Sequence, residues 1–120
     1  MKRGHRDLRV WQESIVLVEL IYRFTEAFPK SEQFGLISQM KRASVSVPAN
    51  ISEGCARNGT KELLHFLSIA SGSLSELDTL VEISIRLGLG NNTESIKLKI
   101  DEVSALLLAL AKSLRQRATS

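Results

Sequence analysis

Cysteine, proline and aromatic residues are all scarce in this chain. The single cysteine, Cys55, excludes an internal disulfide and fits a reducing compartment. Two prolines and six aromatic residues leave little of what sheets and turn-rich folds use. Leu, Ile, Ala, Ser and Glu abound instead, a balance that favours helix. Long apolar runs are missing as well. Nothing approaches the roughly 18 uninterrupted apolar residues of a membrane span, and no apolar segment follows the basic first residues as it would in a secretory signal. The expectation is a cytoplasmic protein without a membrane partner, and 120 residues point to one domain spanning 1–120.

Catalytic constellations are equally sparse. Ser38-Gln39-Met40-Lys41 matches S-x-x-K but lacks the companion motifs that would give it meaning. Cys55 and His65 read as a small buried thiol and a surface histidine rather than a nucleophile pair. His5 and His65 lack the spaced ligands of a metal site, and Glu76, Asp78 and Glu82 read as a solvated helix face. No enzyme, no metal and no cofactor is expected.

What the chain does have is helical periodicity. From Gly35 to Gly59, Leu36, Met40, Ala43, Val47, Ile51 and Cys55 form an apolar face, while Gln39, Arg42, Ser46, Asn50, Glu53 and Arg57 recur on a polar one. This row is expected to be structural, hydrogen-bonding across helices or subunits. Pro48 interrupts the stretch: it removes one backbone donor and crowds a carbonyl, so one helix kinked at Pro48 is expected in preference to a new helix capped by Ser46.

Upstream, Val10, Leu17, Ile21, Phe24 and Phe28 form one stripe and Leu8, Trp11, Ile15, Val18 and Tyr22 a second, wider than a lone bundle helix requires. Pro29 ends that helix. Downstream, Thr60 is the expected cap of a third helix running to about Leu87, and Thr93 or Asn92 that of a fourth. Gly72 inside the third helix costs about 1 kcal/mol against alanine, so a neighbouring helix is expected to approach it closely. The fold class is therefore all-α: an antiparallel up-down-up-down four-helix bundle, with residues 1–6 as a basic tail.

Charge is more informative than the net +3. That topology gathers Lys2, Arg3, Arg6, Arg9, Arg57, Lys61, Lys112, Arg115 and Arg117 at one end, opposed by Asp7, Glu53 and Glu62. Nine cations against three carboxylates give that end +6, while the remaining seven cations and ten carboxylates give −3. Cations suit the C-terminus of the fourth helix but not the N-terminus of the first, so an anionic partner, RNA or DNA, is expected there. No aromatic residue is expected among these charges, so binding would rest on phosphate contacts. The alternative is a protein–protein scaffold without a nucleic-acid role.

Several segments resemble the four-helix-bundle proteins of the 23S rRNA-intervening-sequence family: Leu8-Arg9-Val10-Trp11-Gln12, Phe28-Pro29, Phe34-Gly35-Leu36, Lys41-Arg42-Ala43 and, above all, Ser46-Val47-Pro48-Ala49-Asn50-Ile51-Ser52-Glu53-Gly54. Phe66-Leu67, Ile69-Ala70 and Gly72-Ser73-Leu74 extend the match. The resemblance implies a homo-oligomer, a pentamer, and a similarity in architecture to the accessory proteins of diversity-generating retroelements, which bind nucleic acid. It assigns no molecular role.

Overall fold

A computed structural model describes residues 4–119, with side chains described over 4–117. Four helices follow in order: α1 (Arg9–Thr25), α2 (Leu36–Ala56), α3 (Thr60–Arg86) and α4 (Thr93–Thr119), with one 3-10 turn at Lys30–Glu32. None of α1, α2 or α3 has a side-chain bond from its N-cap residue. Their stability therefore comes from packing apolar faces rather than from their ends. One terminal N–H is met from outside the helix: Leu36 N donates to Glu32 Oε1 at 3.3 Å.

The core is the meeting of four faces. From α1 come Val10, Leu17 and Ile21; from α2, Met40, Val47 and Ile51; from α3, Leu67, Leu74 and Leu77; from α4, Ile100, Val103 and Leu107. The second stripe of α1 is different. Trp11 is half-buried, and Ile15 and Tyr22 are exposed at its edge. Three buried serines, Ser14, Ser44 and Ser84, are satisfied within their own helices by bonds to the carbonyls of Trp11, Lys41 and Leu80. No described buried side-chain polar atom lacks a partner.

Paired residues run in opposite directions along adjacent helices. Across α1 and α4, Arg9 reaches Glu102, Glu13 reaches Lys99, and Phe24 lies against Gly90, just before α4 begins. Across α2 and α3, Met40 meets Ser84, Ser46 meets Ser73, and Gly54 lies against Leu63 and Phe66. A single helix carries through Pro48, which is buried.

Several local expectations change. Thr60 is the first helical residue of α3 and Gly59, at φ 98°, is its N-cap. Residues 4–6, expected as tail, belong instead to a turn over 4–7 in which Leu8 N donates to His5 O at 3.1 Å. Gly72 is exposed with nothing within 4 Å of where a Cβ would stand. The close approach belongs to Gly54, where a Cβ would sit 2.9 Å from both Leu63 Cδ1 and Phe66 Cβ. Helix periodicity cannot separate the two glycines, because only the tilt between α2 and α3 decides where they touch.

The connection between α3 and α4 is held by three left-handed residues, Gly88, Gly90 and Asn92. Gly88 N donates to Ile85 O and Leu89 N to Ser84 O, at 3.0 and 2.9 Å, a Schellman closure in which glycine takes the left-handed position without penalty. Gly90 then passes directly over the rings of Phe24 and Phe28.

Candidate nucleic-acid interface

The nine candidate cations fall into distinct settings. Lys2 and Arg3 lie outside the described residues. Arg6 sits in the turn before α1, its guanidinium 5.5 Å over the Trp11 ring, and its carbonyl accepts from Gln12 Nε2 at 2.8 Å. His5 meets the same indole edge-on, centroids 5.1 Å apart.

Arg9 is held elsewhere. Its Nη2 donates to Glu102 Oε2 at 2.8 Å, and Lys99 Nζ donates to Glu102 Oε1 at 2.8 Å and to Glu13 Oε1 at 2.5 Å. These bonds, Glu102 first and Glu13 second, raise the Lys99 pKa; Lys99 and then Arg9 hold Glu102 below the ordinary carboxylate value. Glu102 precedes Lys112 by ten residues on α4, which is about 15 Å of helix. Arg9 thus belongs to a neutralised flank of the bundle and is set apart from the C-terminal cations of α4.

Arg57 closes α2 beside α3. Its Nε donates to Glu53 Oε2 at 2.9 Å, and its guanidinium lies 5.2 Å over the Phe66 ring. His65 meets Phe66 edge-on at 5.3 Å. Gly54 makes this possible: with no side chain at 54, the Cβ of Phe66 and the Cα of Leu63 come directly against the last turn of α2. Lys61, Lys112 and Arg115 are exposed and make no ion pair with a described residue. Arg117 reaches Ser113 Oγ at 3.4 Å and has a further partner.

Two features escape sequence reading. Aromatic rings do stand among these charges, in Trp11 and Phe66 with a histidine at each edge. The Arg57–Phe66 pairing crosses a turn between antiparallel helices, so it follows from topology rather than from spacing. The Arg6–Trp11 pairing needs the turn at 4–7, which a tail would not form.

The polar row of α2 divides. Asn50 Nδ2 donates to Ser46 O at 2.8 Å and to Ser46 Oγ at 2.9 Å, and the Ser46 and Ser73 hydroxyls meet at 2.8 Å across to α3. Gln39, Arg42 and Glu76 border the same place, a groove of about 460 Å³. Glu53 and Arg57 pair with each other. Cys55 is half-buried and its desolvation raises the thiol pKa, the opposite of what a thiolate nucleophile needs. Among the described residues no three His, Cys, Asp or Glu are grouped to hold a metal, and no helix is long and apolar enough to cross a membrane.

The model of the 23S rRNA-intervening sequence protein family matches residues 6–109. Among solved structures, a protein of unknown function from the S23 ribosomal protein family of Bacteroides thetaiotaomicron VPI-5482 is similar, with a TM-score of 0.77 and 24% identity. The match covers 86% of this chain and 95% of that one, and at this identity it shows the shared fold. No curated protein matches.

Proposed function

The chain belongs to the 23S rRNA-intervening sequence protein family, and from that premise we propose that it is a non-enzymatic, self-associating helical bundle that holds RNA or DNA by its basic end. The observation that carries this reading is the set of cations left without an internal anion: Lys61 at the start of α3 and Lys112 and Arg115 near the end of α4. Cations on the first turn of a helix oppose its dipole, so Lys61 is better explained by an external anion than by helix stability. Contacts of this kind bind phosphate with little regard to sequence.

Self-association belongs to the same proposal, and exposed apolar surface supports it. Ile15, Tyr22 and Val45 expose apolar surface on α1 and α2, and Gly72 offers bare backbone on α3. A ring of copies, five by resemblance to the family, would multiply a weak phosphate affinity. In solution the mass should exceed one chain by light scattering.

Labelled RNA titrated at several salt concentrations tests the reading. Three phosphate contacts per chain give a slope of log K against log salt of about −2 for a single strand. Replacing Lys61, Lys112 and Arg115 together by glutamine should flatten that slope. No binding at low salt would end the proposal and favour the scaffold reading, for which the exposed apolar surface would then be the supporting observation.

A further inference from the structure

We infer that the two arginine–aromatic–histidine clusters are stacking platforms for unpaired bases, so that the nucleic acid this chain holds is single-stranded. The inference rests on the phosphate-binding reading above and deepens it. Both histidines of the chain and its only tryptophan are spent on these two clusters. Each has the same build: a half-buried ring, an exposed guanidinium over that ring, and a histidine at its edge.

In both clusters the arginine is exposed while the ring it covers is half-buried. Arg57 is fixed by its 2.9 Å bond to Glu53 and by Phe66 beneath it. At Arg6 the backbone is held by the turn, whose carbonyl accepts from Gln12, and the guanidinium lies over Trp11. A planar cation already placed over an aromatic ring is partly ordered for a third layer, and guanidinium planes stack on nucleobases as aromatic rings do. A surface needing only phosphate attraction has no use for that plane; a lysine would serve equally. A duplex keeps its bases stacked inside, so only an unpaired strand can add a base to the column.

Trp11 reports on one platform directly, because it is the only tryptophan. The experiment titrates the whole protein at low salt with three labelled probes of equal length: a single strand, an abasic single strand and a duplex. Binding is followed by anisotropy and by Trp11 emission. The intact strand should bind at least about fivefold tighter than the abasic one, the low end for stacking a single base, and should alone quench Trp11. In the charge-preserving variant Arg6→Lys/Arg57→Lys that margin should vanish while abasic binding persists. Equal binding of all three probes overturns the inference and leaves the phosphate reading standing. A base-dependent margin that survives in the double variant also overturns it, because the bases then stack elsewhere. Binding of none of the probes overturns both.

Discussion

Two glycines in adjacent helices give opposite answers to the same substitution. Gly72 is an interior helical residue with open space where a Cβ would stand. Gly72→Ala therefore gains only the helix preference of alanine, about 0.5–1 kcal/mol, and for a domain of this size should raise the melting temperature by about 2–5 °C. Gly54→Ala gains the same preference but places its Cβ 2.9 Å from Leu63 Cδ1 and from Phe66 Cβ, and 3.4 Å from Leu63 Cα. The Leu63 methyl can swing aside. The Cβ of Phe66 is rigidly attached to its backbone, so α2 and α3 must part. Overpacking of this kind costs about 1–3 kcal/mol, which outweighs the preference and leaves a net loss on the order of 1 kcal/mol. Urea unfolding followed by far-ultraviolet circular dichroism at low protein concentration reads both. Midpoints moving in the same direction would refute the assignment of the close approach to Gly54. Repeating the series at rising concentration adds a second reading: a Gly72→Ala benefit that turns into a loss would place a second copy on that face of α3.

The remaining predictions follow from contacts already given. Gly90→Ala adds a side chain at φ 77° directly into Phe24 and Phe28, and should cost more than about 2 kcal/mol by the same unfolding assay. Asn50→Leu removes the Nδ2 bonds to Ser46 O and Ser46 Oγ, leaving the Ser46–Ser73 hydroxyl pair on the α2–α3 seam without its third member, and should cost about 1–2 kcal/mol; unchanged stability and assembly together with lost RNA binding would show the residue to be a ligand contact instead. On pH, Glu102 is held below its ordinary value of 4.5, so its contribution is present above 4.5 and is lost as pH falls through the lower folded-state value. Glu102→Gln should therefore make the acid-side decline of the urea midpoint shallower than in the parent protein. Lys99, raised above 10.5, gives the mirror image on the alkaline side, its contribution present below 10.5 and lost above the raised value.

The fold is legible in the sequence because four amphipathic periods and three connections leave few alternatives to a bundle. Met40, Val47 and Ile51 on α2 and Ile100, Val103 and Leu107 on α4 are core residues by spacing alone. The interface is less legible, for a physical reason. Helix spacing says which residues share a face but not how far one helix slides along another. That slide takes Arg9 to Glu102 on the flank, moves the close approach from Gly72 to Gly54, and brings Phe66 beneath Arg57. Small residues are similarly ambiguous: Ser14, Ser44 and Ser84 are fully buried because each hydroxyl finds a carbonyl in its own helix.

The three-residue connection between α2 and α3 also bears on how the chain reaches its structure. These helices share the broadest interface in the bundle, and residues 57–59 are all that separates them. Closing so short a loop loses little chain entropy, so this hairpin can form before distant segments meet. α1 and α4 are separated in sequence by both of these helices, so their pairing closes a much longer loop. The α2–α3 hairpin is therefore the expected folding nucleus, and native-state hydrogen exchange should find its amides the slowest to exchange and those of the Arg9–Glu102 flank among the first to open.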